Sequence, residues 1–160
     1  MAQIYIGLGS NVERERNLLA GIADLQACFS HVRLSTVYES AAVGFPGANF
    51  YNLVMGAQTS LSLPELLATL RNIEFAHGRA PDARKFAPRT LDLDLLSIDD
   101  LVCLEPVVLP RAEILHNAFV LCPFAELAPN WIHPVAGKSL ALLWDEYDQS
   151  RQPLKPVSLV

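Results

Sequence analysis

Cationic residues are scarce in this chain, cysteines are few and long apolar runs are missing, and each shortage closes off a class of function. Only 12 of 160 residues are Lys or Arg against 17 Asp or Glu, a formal net charge of -5. A chain of that sign offers no broad cationic surface for a phosphate backbone, so no nucleic-acid partner is expected. The three cysteines, Cys28, Cys103 and Cys122, are odd in number, widely spaced and without the paired spacing of metal ligands. They read as reduced core thiols of a cytoplasmic protein. No run approaches the roughly 20 apolar residues that span a bilayer, and the first residues lack the basic and apolar regions of a signal peptide. No membrane partner is expected. His31, His77, His116 and His133 are scattered with no H-x-x-x-H or H-E-x-x-H pattern, which argues against zinc. G-x-S-x-G is absent too, leaving nucleophilic hydrolysis without support.

What is present suits a compact domain, with 51% apolar residues over a length that fits one core. Residues 3–8 form a β-rich run ending at Gly7-Leu8-Gly9-Ser10-Asn11, which reads as a tight turn because it lacks the further residues of a dinucleotide or nucleotide phosphate loop. Leu18, Leu19, Ile22, Leu25 and Phe29 then repeat at helical spacing. Residues 32–39, rich in Val, Thr and Tyr, predict a second strand, and residues 41–48, with two glycines and Pro46, a mobile loop. A third strand is predicted over 50–59. Ser62-Leu63-Pro64-Glu65 has the form of a capping box, opening a helix that carries Leu66, Leu67, Leu70 and Ile73 and stops before Gly78. A strand over 90–98 completes a β-α-β-β-α-β order, the split βαβ of ferredoxin-like α/β folds. Residues 107–109 predict a short strand, 112–127 a helix interrupted at Pro123, and 139–147 a last helix packing Leu140, Leu143 and Trp144. The expected organisation is one domain over 1–148, with a loose tail over 149–160.

The densest chemistry lies in Lys85-Phe86-Ala87-Pro88-Arg89-Thr90-Leu91-Asp92-Leu93-Asp94-Leu95-Leu96. Alternation from Thr90 puts Asp92 and Asp94 on one strand face and Leu91, Leu93 and Leu95 on the other. Two strand residues separate their backbones by about 6.6 Å, a span across which two carboxylates can hold one divalent cation or bracket two. Magnesium suits such a pair, because it takes one or two protein carboxylates and fills its other positions with water and substrate phosphate. Arg79, Arg84, Lys85 and Arg89 crowd into eleven positions with Ala80, Pro81, Ala87 and Pro88, a basic loop rather than a solvated helix face. An isolated D-x-D would otherwise read as the wet face of a half-buried strand. Phe50 and Asn52 alternate at a strand start and could take a flat heterocycle by stacking and paired hydrogen bonds. Taken singly, Phe50 and Phe119 read as core, and Glu74 as solvent-exposed.

Residues 85–96 resemble the signature of the 6-hydroxymethyl-7,8-dihydropterin pyrophosphokinases, through Pro88, Arg89, Asp92, Leu93, Asp94, Leu95 and Leu96. Further marks run in order: Gly9-Ser10-Asn11, Tyr38-Glu39-Ser40, Val43-Gly44, Phe50, Asn52, Glu74, Gly78-Arg79, Ala118-Phe119, and Pro123-Phe124-Ala125-Glu126-Leu127-Ala128-Pro129. The resemblance spans roughly residues 3–148 and implies a ferredoxin-like fold, a mainly antiparallel sheet covered by helices. It implies transfer of the diphosphate of ATP, as one unit, to the pterin hydroxymethyl oxygen with release of AMP, in folate biosynthesis. It further implies that Asp92 and Asp94 hold two Mg2+ ions, and that Arg79, Arg89, Asp92 and Asp94 are catalytic. Ser40, Val43, Phe50, Asn52, Phe86 and Phe119 would form the pterin site, and Glu74, Arg79, Arg89 and Arg111 the ATP site. The expected form is a cytoplasmic monomer whose partners are ATP and the pterin.

Two positions depart from the family pattern. Arg111 stands where His is common, and Asn117 where an Arg is common two residues before the Phe. Both usually serve ATP, so nucleotide affinity is where this chain is expected to differ. Two readings therefore compete with the enzyme: a non-catalytic or weakly active pterin- or nucleotide-binding paralogue, and another D-x-D magnesium enzyme such as a nucleotidyltransferase, which would release pyrophosphate instead of AMP.

Overall fold

A computed structural model describes residues 1–41, 49–78 and 90–159. The chain begins with strand β1, Ala2–Ser10, whose alternation sends Ile4, Ile6 and Leu8 to one side of the sheet and Tyr5, Gly7 and Gly9 to the other. Helix α1, Arg14–Cys28, follows. Strands β2, Ser30–Leu34, and β3, Val37–Ser40, precede β4, Phe50–Thr59. Helix α2, Leu63–Ala76, starts at the expected capping box: the Glu65 N–H donates to Ser62 Oγ at 3.3 Å, and the Ser62 N–H to Glu65 Oε1 at 2.9 Å. Just past its end Gly78 takes φ +95, left-handed backbone that costs glycine little.

Strand β5, Asp92–Ile98, leads to a 3₁₀ turn, Ala112–Leu115, then helices α3, Ala118–Leu127, and α4, Leu140–Glu146, and strand β6, Lys155–Val157. Among the described residues, six strands form one antiparallel sheet in the order β5-β1-β4-β3-β6, with β2 also on β4. This is the anticipated βαββαβ frame with its second strand in two pieces. The sheet separates two cores. Ile4, Ile6, Leu8, Leu53, Met55, Leu93 and Leu95 pack under α1 and α2 against Leu18, Leu25, Leu66 and Leu70. Tyr5, Val54 and Leu96 pack on the other side against Ile114, Leu121, Phe124 and Leu140. Among the described residues no helix is long and apolar enough to cross a membrane.

Several sequence-based expectations change. The predicted strand over 32–39 breaks at Ser35 and Thr36, because the Ser35 hydroxyl accepts the Val54 N–H at 2.9 Å and so stands in for a ladder partner. The helix interruption falls at His116 and Asn117 rather than at Pro123, which stays inside α3. Burial of Leu121, Pro123, Phe124 and Ala125 there outweighs the one backbone donor that proline lacks. Residues 107–109 make only an isolated bridge, Cys103 to Leu109. Of the presumed core cysteines Cys28 is exposed and the other two half-buried, all as free thiols, and Leu19 lies on the wet side of α1. The tail predicted to be loose instead carries β6, which adds to the β3 edge.

Candidate active site

Gly7 and Gly9 lie within β1, not in a turn after it, and this correction explains the cavity. On the α3 side of the sheet Tyr5 meets Phe124 with ring centroids 4.6 Å apart and closes the second core. The next two residues on that strand face have no side chain, so the sheet is left bare beside the start of α3. In the antiparallel register Gly9 sits between Asn52 and Asp92, and Gly7 between Val54 and Asp94. Above this floor opens a cavity of about 820 Å³, with Phe50, Asn52, Asp92, Asp94, Arg111 and Phe119 in its walls. That is ample for a drug-sized ligand. Gly9 is needed there: a β-carbon on it would lie 2.8 Å from Asn52 Oδ1.

At one end of the floor, Asp92 and Asp94 share a strand face with Leu96, whose side chain fills the second core. The strand thus passes from carboxylate to core within one further alternation. Arg111 is held in place by its own N–H, which donates to the Leu96 carbonyl at 2.9 Å. Its guanidinium reaches Asp94 Oδ1 at 3.3 Å and also pairs, through Nε, with Glu113 Oε2. The Asp94 side chain is 39% exposed and lines the cavity. Desolvation pushes its carboxyl up to about 7, and the neighbouring Asp92 charge adds to the shift; Arg111 opposes it, and Glu74 and Glu113 reinforce it. Two carboxylates crowded in this way are short of positive charge. A hard divalent cation with oxygen preference supplies it, and the residues therefore fit magnesium. Among the described residues no cluster of three or more His, Cys, Asp or Glu could hold a metal; a two-carboxylate pair leaves positions for water and phosphate.

Glu74 is 6% exposed, against the solvent-facing position its sequence context suggests. Its Oε2 accepts the Leu93 N–H at 2.8 Å, so α2 grips β5 at the residue between the two aspartates. That contact joins residues 19 positions apart, which no local pattern announces. At the other end of the floor Asn52 Nδ2 donates to Ser40 Oγ at 3.0 Å, both residues buried. Phe50 stands opposite Ser40 in the β3–β4 register. Phe119, in the first turn of α3, faces the same cavity. Phe50 and Phe119 are half-buried cavity walls rather than core.

The structure thus brings together Ser40, Phe50, Asn52, Glu74, Asp92, Asp94, Arg111 and Phe119 around one cavity. Val43, Arg79, Phe86 and Arg89 lie outside the described residues. Sequence reasoning passed over Glu113 and Arg71, which also line the cavity. Glu113 carried a signal, lying two residues from an unusual Arg111; Arg71, on an otherwise wet helix face, carried none.

Comparison with known proteins gives one consistent result. The model of the family described as 7,8-dihydro-6-hydroxymethylpterin-pyrophosphokinase (HPPK) matches residues 5–129. The 2-amino-4-hydroxy-6-hydroxymethyldihydropteridine pyrophosphokinase of Aquifex aeolicus is 38% identical over 143 residues, 88% of this chain and 89% of that protein. Its counterpart from Synechocystis is 38% identical over 147 residues, 89% of this chain and 75% of that protein. A crystal structure of Plasmodium falciparum HPPK-DHPS A437G with SDX-DHP superposes with a TM-score of 0.74 at 14% identity, covering 91% of this chain and 45% of that one. At that identity the likeness speaks for the fold.

Proposed function

The chain belongs to the 7,8-dihydro-6-hydroxymethylpterin-pyrophosphokinase family, enzymes of folate biosynthesis that transfer the diphosphate of ATP to the hydroxymethyl group of the dihydropterin, and from that premise we propose how its own residues perform the reaction. The single observation that carries the assignment is the row Asn52, Gly9, Asp92 across three strands, which sets a polar reader of a flat ring and a carboxylate pair at opposite ends of one bare floor.

In this reading Phe50 and Phe119 enclose the pterin by stacking. Asn52, its amide oriented by Ser40, reads the donor and acceptor edge of the ring. The hydroxymethyl group then points along the floor toward Asp92 and Asp94, the two residues that would hold magnesium. Bound there, magnesium would offset charge on the transferring phosphates. The alcohol oxygen bonds to the β-phosphorus, the bond from that phosphorus to the oxygen bridging it to the α-phosphorus breaks, and the bridging oxygen departs on AMP with the electron pair. The alcohol proton is released, and the nucleophile is the substrate's own. Catalysis by the protein is then positioning and charge.

Arg111 is assigned to the nucleotide phosphates. Its present partner Asp94 would give up that contact on taking a cation, while Glu113 keeps the guanidinium at the cavity wall. Glu74 supports the same side by holding the Leu93 backbone. Arg79 and Arg89 are assigned to the transferring diphosphate and the departing AMP, and Val43 and Phe86 to the pterin side, on the resemblance of their sequence positions. Incubation with magnesium, ATP and hydroxymethyldihydropterin tests the whole: AMP should form only when the pterin is present. Pyrophosphate in place of AMP, or AMP formed regardless of pterin, would sink it.

A further inference from the structure

The segment after α4 does more than extend the sheet. Arg151 N–H donates to the Asp148 carbonyl at 3.1 Å, and Ser150 Oγ to Asp148 Oδ1 at 2.6 Å, a turn that reverses the chain. Gln152 leaves this turn pointing at the start of α3. There the Ala118 N–H donates to Gln152 Oε1 at 2.8 Å, and Gln152 Nε2 donates to Asn117 Oδ1 at 3.1 Å. Asn117 is the N-cap residue of α3, yet its side chain caps no backbone N–H. Gln152 does so in its place, from 34 residues further along the chain. Beyond it Val37, Tyr38 and Glu39 of β3 pair with Val157, Pro156 and Lys155. The strap therefore joins two elements that both line the cavity: α3, with Phe119, and β3, with Ser40 bound to Asn52. Tyr147 adds a second tie, donating its hydroxyl to the His116 carbonyl at 2.7 Å. The family model matches residues 5–129, so α3 and β3 lie inside the match while Gln152, Tyr147 and β6 lie beyond it.

We propose that Gln152 is a positioning residue for the flat-ring end of the site: by capping the first turn of α3 from the tail, it holds Phe119 at its stacking distance from the ring. The proposal rests on the assignment of Phe119 to the pterin. Loss of a side-chain cap frays the turn that carries Phe119 while leaving the carboxylate end of the floor, on β5, in place. The effect is accordingly one-sided.

Binding of hydroxymethyldihydropterin and of a non-hydrolysable ATP analogue, each titrated with magnesium present, tests it in five proteins: wild type, Gln152→Ala, Gln152→Glu, Phe119→Ala and the Phe119→Ala/Gln152→Ala double variant. The Ala variant should weaken the pterin about fivefold and change the ATP analogue by less than about twofold. The Glu variant keeps an oxygen for the Ala118 N–H and places a negative charge at a helix start, and with the Asn117 amide turned to donate its Nδ2 to the second carboxylate oxygen it should recover most of the affinity. In a Phe119→Ala background, Gln152→Ala should add less than about twofold, since coupled residues do not add. Unchanged pterin affinity in Gln152→Ala beside a weakened Phe119→Ala would overturn the Gln152 role alone. An unchanged Phe119→Ala would overturn the pterin assignment and the inference with it. Equal loss for both ligands, or full additivity in the double variant, would mean that Gln152 only stabilises the fold.

Discussion

The two sides of the central sheet are built from the same three strands and yet differ in what they leave open. On the side of α1 and α2 the central inward positions of β1 and β4 carry aliphatic side chains, Ile4, Ile6 and Leu8 against Leu53 and Met55, and the space is filled. On the side of α3 the strands begin in the same way, with Tyr5, Val54 and Leu96 beneath Phe124, and then stop: Gly7 and Gly9 replace apolar side chains, and Asp92 and Asp94 replace leucines. A close-packed face transmits stability and excludes ligands. A face covered only over part of its length keeps the rigidity of the sheet and adds a floor on which polar groups hold fixed spacing.

The sharpest way to break this contrast is to remove its charge. Asp92→Ala and Asp94→Ala should each lower turnover by roughly a thousandfold or more, about 4 kcal/mol of barrier, with pterin affinity retained; steady-state AMP formation and equilibrium pterin binding check the two halves. Substantial turnover in either variant removes that residue from the metal site. On the closed face, Leu53→Ala should lower stability by about 2 to 5 kcal/mol, as buried leucines do, measured by urea unfolding, with little change in kcat of the folded fraction. Phe119→Ala should weaken the pterin by about 1 to 3 kcal/mol, the stacking magnitude seen for bases on aromatic rings, and unchanged binding would return it to a structural role. Gly9→Ala puts a methyl group within 2.8 Å of Asn52 Oδ1, an atom whose amide is already held by Ser40. Pterin affinity should then fall by about tenfold, 1.4 kcal/mol, while the urea midpoint moves little.

The smallest effect is one of pH. The Asp94 carboxyl lies at about 7 instead of its ordinary 3.8, so in chelator-treated protein the folded state holds this proton more tightly than the unfolded chain. Its contribution to stability is full below about pH 4 and is lost as pH rises through 7. Urea midpoints of the wild type should fall between pH 5 and 8 relative to Asp94→Asn, in which this titration is gone. Parallel profiles for the two proteins would refute the shift.

Much of the frame was legible in the strand and helix periods, because each period reports which face of one element is buried. The α2 capping box was readable for the same reason: it is complete within four residues. The splitting of the second strand, the helix across Pro123 and the β6 strand were not, since each is decided by a partner far along the chain, Val54 for Ser35, the second core for Pro123, and β3 for Lys155 to Val157. The site divides likewise. The Asp92 and Asp94 pair was legible from strand alternation read together with the basic loop before it, whereas Glu74, taken singly, read as solvent-exposed and Gly9 as a turn residue, because their contacts join segments distant in sequence.

Sequence by itself determined the βαββαβ order, the carboxylate pair on one strand face and membership of a pterin pyrophosphokinase family, all properties of local period and of motif. Tertiary structure alone decided that Gly7 and Gly9 are a floor, that Arg111 reaches Asp94, and that Gln152 caps a helix begun 34 residues earlier. Contacts of that kind depend on strand register and on the packing of distant segments, and neither leaves a periodic mark in the chain.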